Sequence, residues 1–449
     1  MVVPSISFPA VELAKIVAVQ RYEERMLFLT LLLRKPDVRV VYVTSSPVDP
    51  AVVDYYLRFL PNPDEARERL SLVAVDDPSL GSLSSKILDR PAALARLRHL
   101  VPEGGTMLPF NVTPAETRLA EALGLELCGA PARLTPLGSK SGSRKVAARA
   151  GVARLPGAED LFSTDDVAAA IATLRAERPS AEAVVVKLNN GFSGQGNAIL
   201  ELDGLTDPLP ASKTTFCANE ESWSTFASKI EDEGAIVEEL LRVDGLQSPS
   251  AQLRVDGDGN VEVLSTHDQI LGGPEGQVYL GCRFPASPSY RSAITENARR
   301  VGAVLAAEGV GGSFGIDFLV VPGGDVYLSE INLRMGGTTH PYWMARLATG
   351  ATYDGATGEL VGPTGRPVRY VASDNLKAAH LAELTPADVI ERVDAAGLAF
   401  DPSTGTGAAL HLLGAVPGYG KMGTTCVAET VEEADDLYRR LVTLLTASR

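Results

Sequence analysis

"GIDFLVVPGGDVYLSEINLRMGGTTHP" runs from Gly315 to Pro341. Two apolar runs, Ile316–Val321 and Val326–Ile331, flank the turn residues Pro322-Gly323-Gly324, so the stretch reads as a β-hairpin. Its polar residues are spaced rather than scattered. Asp317 interrupts the first run, and Glu330, Asn332 and Arg334 follow at alternate positions on the second. Successive strand side chains point to opposite faces, so these three share a face, with a second carboxylate on the neighbouring strand. Asp317, Glu330 and Asn332 are hard oxygen donors of the kind Mg²⁺ takes alongside substrate phosphates. One such acid alone could equally cap a strand end or pair with Arg334. Four residues in register favour a metal and nucleotide-triphosphate site.

Around this hairpin the chain has 449 residues, enough for several domains with their own cores. A hydrophobic fraction of 45% and a charged fraction of 22% fit a globular protein that stays in water. The net charge of −15 argues against a nucleic-acid backbone as partner, because that binding is dominated by Lys and Arg. Cys128, Cys217, Cys282 and Cys426 form no CxxC pair, which fits a reducing compartment and suggests neither a zinc knuckle nor a disulfide framework. The early apolar run Met26–Leu33 is too short to span a bilayer, and no secretory leader pattern precedes it. The expected setting is cytoplasmic, without membrane or nucleic acid.

The first third alternates strands (Val38–Val43, Leu72–Val75, Thr106–Phe110, Leu125–Cys128) with helices (Pro50–Leu60, Ser84–Leu100 broken near Pro91, Pro114–Leu123). That rhythm predicts an open, mainly parallel α/β sheet. No GxGxxG follows its first strand, so it is not expected to bind a dinucleotide. Further on, the residues predict a helix over Ser143–Ala150 and strands at Ala183–Leu188, Ala235–Leu241, Ala251–Val255 and Val261–Ser265. A helix at Ala293–Glu308 leads to the hairpin. Gly355–Arg366 reads as a linker or an exposed hairpin before an α/β unit that ends in the helix Val431–Thr446.

Two other stretches carry chemistry. In "VVVKLNNGFSGQGN", Val184–Asn197, Lys187 emerges from a β-branched run where a charge needs a partner. The loop after it holds Gly191, Ser193, Gly194 and Gly196, whose backbone could close on phosphate oxygens or form a plain turn. It is not a Walker loop. "AIVEELL", Ala235–Leu241, is either an ordinary strand end or a backbone edge for adenine.

In order and spacing, these pieces resemble the ATP-grasp fold of carboxylate–amine ligases. The flanking segments, including "LPFNVTPAETRLAEALGLELCGAP", are similar to the pheganomycin-type peptide ligases. The resemblance implies an α/β chain, α+β in parts. It would have a Rossmann-like pre-ATP-grasp domain at 1–132, ATP-grasp nucleotide and catalytic domains at 133–350, and a small C-terminal α/β domain at 351–449 walling a substrate groove. It implies that Lys140, in "LGSKSGSRKVAARAGV", and Lys187 contact phosphates, with 189–196 as a mobile phosphate loop. Glu238, Glu239 and Leu241 would match the adenine hinge, although many relatives carry Lys where Glu239 stands. Asp317, Glu330 and Asn332 would be the metal ligands, and Arg334 would contact the reacting phosphate.

The implied activity is ATP-dependent joining of a nonproteinogenic amino acid's carboxylate to a peptide's N-terminal amine. It would pass through an acyl phosphate and release ADP and phosphate, as in antibiotic biosynthesis. Alternatives are a dipeptide synthetase or another ligase of small amines, and a non-catalytic ATP-binding regulator. ATP and Mg²⁺ are the implied cofactors, with Mn²⁺ as substitute and a homodimer left open. Among the remaining candidates, Arg283 is expected to hold a substrate carboxylate or phosphate. Gln269 is expected to face the cleft and His267 to be structural, while His340, before Pro341, could equally serve a function or cap a turn. "GYGKMG", Gly418–Gly423, reads as a glycine-rich hairpin rather than a phosphate loop.

Overall fold

The βαβα rhythm of the first third produces a five-stranded sheet in the order Leu70–Ala74, Val40–Thr44, Val2–Val3, Thr106–Pro109, Glu126–Leu127, parallel at every pair. The structure is a computed structural model that describes residues 1–191, 196–204, 214–218, 221–273 and 276–447. The helix Pro114–Leu123 starts where Pro at its first turn and a Thr113–Glu116 capping box dictate, and stops at left-handed Gly124. Between the first two strands in sequence lies an element the apolar pattern conceals. Met26–Leu33 belongs to a 3-10-helical segment, Val19–Arg34, that buries Met26, Leu27, Phe28, Leu31 and Leu33 against the helix Thr339–Thr349. Its acids are buried too. The Ser45 N–H and Oγ–H both donate to Glu23 at 2.6 Å, and the Gly414 N–H donates to Glu24 at 2.9 Å.

The second sheet is antiparallel, in the order Gly157–Leu161, Ala235–Glu239, Ala183–Leu188, Asn197–Glu201, Thr214–Phe216. The helices Thr164–Glu177 and Trp223–Glu233 close its core through Val167, Ile171, Phe226 and Ile230.

The third, ten-stranded sheet carries the opening hairpin at one edge. Its order is Val326–Asn332, Gly312–Val320, Pro249–Val255, Val261–Gly272, Val278–Phe284, Pro367–Lys377 and then the short hairpin Glu359–Val361 with Thr352–Asp354. Lys421–Ala428 pairs with Pro367–Lys377 and with Gly407–His411. The strand expected to end at Ser265 continues to Gly272, because it goes on pairing with Val278–Phe284. Gly355–Arg366 resolves to the hairpin alternative. The C-terminal segment thus extends the sheet that bears Asp317. One apolar core also runs through Phe28, Tyr56, Phe284, Tyr342, Tyr370 and Leu441, joining both ends of the chain to the middle. Among the described residues, no helix is long and apolar enough to cross a membrane.

Candidate active site

Asp317 and Glu330 stand opposite each other in the antiparallel register, and Asn332 pairs with Gly315 two residues along, on the same face. Gln269 and Asn332 donate side-chain amide hydrogens to the two oxygens of Asp317, at 2.7 and 3.0 Å. Burial, and then the charge of Glu330, push the Asp317 carboxyl up to about 7, while Lys140 and Arg334 pull the other way. Two facing carboxylates in a half-buried place call for positive charge. Lys140 supplies one, its Nζ 2.5 Å from Glu330 Oε1. Arg334 supplies another, its guanidinium 5.8 and 5.9 Å from the ring centres of Phe8 and Phe110. The donor set fits Mg²⁺: two carboxylates and an amide oxygen on one platform, with a like-charge conflict that a dication would remove.

The helix Lys140–Ala150 begins three residues earlier than its apolar period predicts. Ser139 caps it by accepting the Gly142 N–H at 3.0 Å. That start places Lys140 over the hairpin, and the Ile331 N–H donates to Ser143 Oγ at 2.9 Å. The same helix end docks the loop after Lys187. The Lys140 N–H donates to the Asn189 carbonyl (3.1 Å), and the Ser141 N–H to Asn189 Oδ1 (2.9 Å). Gly191 and Gly196 close the base of the loop: a Cβ on Gly191 would lie 2.9 Å from the Gly196 Cα. Ser193 and Gly194 lie outside the described residues. Gly142 admits no side chain, since its Cβ would sit 1.9 Å from the Pro136 carbonyl oxygen. Gly142→Ala is therefore expected to cost roughly 1–3 kcal/mol through overpacking. A lowered urea midpoint with unchanged slope would show it, and an unchanged midpoint would mean that this turn yields freely.

Lys187 has the partner its setting demands. Its Nζ donates to Glu238 Oε2 at 2.8 Å, and Arg144 donates to Glu238 Oε1 at 2.7 Å and to Glu159 at 2.8 Å. Burial alone would raise the Glu238 pKa, but Lys187 and then Arg144 outweigh it and hold it below its ordinary value. Glu238 therefore spends its side chain inside the second sheet rather than on the cavity. Arg144 went unnoticed in the sequence, although it sits four residues after Lys140 and so on the same helix face.

A cavity of about 440 Å³ opens between the second and third sheets, lined by Lys140, Leu155, Val185, Lys187, Glu239, Leu241, Gln269, Asp317, Glu330, Asn332 and Arg334. Apolar walls at one end and the charged cluster at the other suit a base with a phosphate tail. Glu239 turns its carboxylate to Arg178, 3.2 Å away. A second cavity, of about 530 Å³, lies between the first sheet's loops and the base of the glycine loop that follows Lys187. Phe8, Asn111, Ser139, Gly191 and Lys229 line it, and it shares Glu330, Asn332 and Arg334 with the first.

Arg283 is not brought to either cavity. It stands opposite Asp268, on the face away from Gln269, and its guanidinium is 3.0 Å from Asp435 of the last helix. Strand parity, one residue out of phase with the cleft, corrects the expectation. His267 is structural as expected, 2.6 Å from the Tyr370 hydroxyl and held neutral by burial, its pKa lowered to about 3. Gly418–Gly423 leads into an inner strand, and all four cysteines are free thiols.

Three family models match in chain order: the pre ATP-grasp domain at residues 25–125, the IQCH-like ATP-grasp at 212–322 and the PGM1 C-terminal domain at 388–441. The L-propargylglycine–L-glutamate ligase of Streptantibioticus cattleyicolor is 38% identical over 437 residues, covering 94% of this chain and 89% of that one. The chain belongs to the pheganomycin-type ATP-grasp ligases. The ligase shares its fold with N5-carboxyaminoimidazole ribonucleotide synthetase in its ADP complex (TM-score 0.55, 12% identity, 93% of each chain). It also resembles biotin carboxylase from Campylobacter jejuni (TM-score 0.57, 16% identity, 91% of this chain and 86% of that one). It is an ATP-dependent ligase with a pre-ATP-grasp domain and a small C-terminal domain.

Proposed function

We propose that this ligase joins the carboxylate of one amino acid to the amine of another amino acid or peptide, with ATP in the first cavity and the reactants in the second. The observation that carries this reading is the meeting of the two cavities at Glu330, Asn332 and Arg334. Adenine would lie near Leu155, Val185 and Leu241 and contact backbone at Glu239–Leu241, with the phosphate tail reaching Lys140 and Lys187. The substrate carboxylate attacks the γ-phosphate, the bond to the β-phosphate oxygen breaks, and ADP leaves an acyl phosphate. The amine then attacks the acyl carbon and phosphate departs. Lys140 and Arg334 balance charge on the transferred group. Asp317, Glu330 and Asn332 would hold Mg²⁺, or Mn²⁺ in its place, which when bound neutralises phosphate oxygens.

The relative's name joins two amino acids, which supports a free amino acid as acceptor. No residue of 351–449 lines either cavity, so the substrate groove expected there is not found at this site, and a peptide acceptor rests on the family resemblance alone. Offering one activated acid with glutamate, other free amino acids and short peptides, and weighing the products by mass spectrometry, decides between them. A modified amino acid as the acid, a role in antibiotic biosynthesis, a cytoplasmic setting and a homodimer belong to the same reading.

ADP and phosphate are expected in step with each amide formed. Stoichiometric AMP and pyrophosphate, read by ion-exchange chromatography, would overturn γ-phosphoryl transfer.

A further inference from the structure

His340, Asp374 and His411 are far apart in sequence and meet at one point. His340 lies in the first turn of the helix Thr339–Thr349, Asp374 on the strand Pro367–Lys377 and His411 at the end of Gly407–His411. Both histidines present Nε2 to the same carboxylate oxygen, Asp374 Oδ1, at 3.2 Å from His340 and 2.7 Å from His411. The two Nε2 atoms are 3.0 Å apart. All three residues are buried, with side-chain exposures of 6, 9 and 5%. Arg25 takes the other oxygen, Asp374 Oδ2, at 3.0 Å, which fixes the carboxylate with Oδ1 toward both rings.

Hydrogen bonding alone serves this triangle poorly. Both rings compete for one oxygen while their nitrogens crowd each other, and His340 Nδ1 has no partner on its far side. Three lone pairs aimed at one small space suit a cation better. Ligands about 2.0–2.1 Å from a tetrahedral ion lie about 3.3 Å apart, so the sides of 3.2, 3.0 and 2.7 Å need to open by about 0.1, 0.3 and 0.6 Å. The strand beside His411 is also shaped to admit the ring. Gly423 stands opposite it, and a Cβ there would lie 2.0 Å from Nε2.

We propose that His340, Asp374 and His411 form a binding site for one divalent transition-metal ion, separate from the hairpin acids and built of imidazole and carboxylate donors. This donor set selects ions such as Zn²⁺ or Co²⁺ over Mg²⁺, which prefers oxygen alone. Three protein ligands leave a further position for water. The ion would tie the helix that follows the Arg334 loop to two strands of the C-terminal domain, so it acts on the fold beside the substrate cavity rather than on ATP.

The test uses the full chain, untagged and purified without chelator, in excess Mg²⁺. Elemental analysis is expected to find about one equivalent of a first-row metal per chain, and after stripping Co²⁺ should give visible absorption bands that Zn²⁺ abolishes. His411→Gln should lose the bands. So should Gly423→Ala, which removes no ligand but fills the space of the ring, whereas Glu330→Gln should keep them. Wild-type protein with native circular dichroism that carries no metal and gives no Co²⁺ bands would overturn the proposal. So would bands that survive in folded His411→Gln. If the variants do not fold, the wild-type metal content and Co²⁺ titration decide alone. The hairpin site enters these readouts only through the Glu330→Gln control, so the proposed ligation can fail while this site stands, and the reverse.

Discussion

Arg334→Ala is expected to lower turnover roughly 10³-fold, the scale on which a charge-stabilising donor or an arginine at a transferring phosphoryl group contributes. Binding of a non-hydrolysable ATP analogue should change only a few-fold. The reason is placement. The half-buried guanidinium is at the junction of both cavities, with Phe8 and Phe110 beside it, so it faces both the nucleotide and the reactant spaces. Arg334→Lys should recover little, because an ammonium cannot reproduce the planar fork. Steady-state ADP release together with calorimetry on the analogue separates the two effects. Near-normal turnover in the Ala variant would remove Arg334 from the chemistry. Equal losses in turnover and analogue affinity would make it a binding residue only.

Glu238→Ala should be the most destabilising single change in the second sheet, costing roughly 3–5 kcal/mol, as expected when one member of a buried ionic group is removed. Arg144 and Lys187 would be left facing each other across an apolar core. Glu238→Gln should cost less, since the amide oxygen still accepts one of the two donors. The folded-state pKa of Glu238 lies below its ordinary 4.5, so the network contributes fully above that value and fades as pH falls through the folded pKa. Urea titrations of both variants at neutral and acidic pH read this directly. A cost for Glu238→Ala below that of an ordinary surface change would mean that water reaches the pair.

The sequence made the hairpin legible because period-two alternation leaves Asp317 and Glu330 no other faces, and the register agrees. Lys187 was legible as a charge inside a β-branched run. Its partner was not: Glu238 lies 51 positions away, and only the antiparallel pairing of two strands brings it near. Arg283 failed for the complementary reason. Its distance along the chain from the site was right, but one step of strand phase turns a side chain to the far face. Val19–Arg34 hid because Glu23 and Glu24 are buried on distant hydrogen-bond donors, which blurs the apolar stripe that betrays a packed helix. His340 was not distinguishable from a turn cap because Asp374 and His411 are 34 and 71 residues away.

The seamless passage of the central sheet from Val278–Phe284 into Pro367–Lys377 bears on how this enzyme can be re-engineered. Exchanging the C-terminal domain with that of a relative, cut at residue 350, would graft a foreign strand onto a native edge. Position 281 must stay glycine in any such graft, because a Cβ on it would meet the backbone carbonyl oxygen of Ala372 at 2.2 Å. Chimeras crossed instead near residue 133, between the first sheet and the helix that begins at Lys140, leave all ten strands in one parent. They still require Phe28 and Tyr56 to be matched to Phe284, Tyr342 and Tyr370 from the other. With the reactants in the second cavity as proposed, acceptor preference is better shuffled by point changes around it than by trading modules.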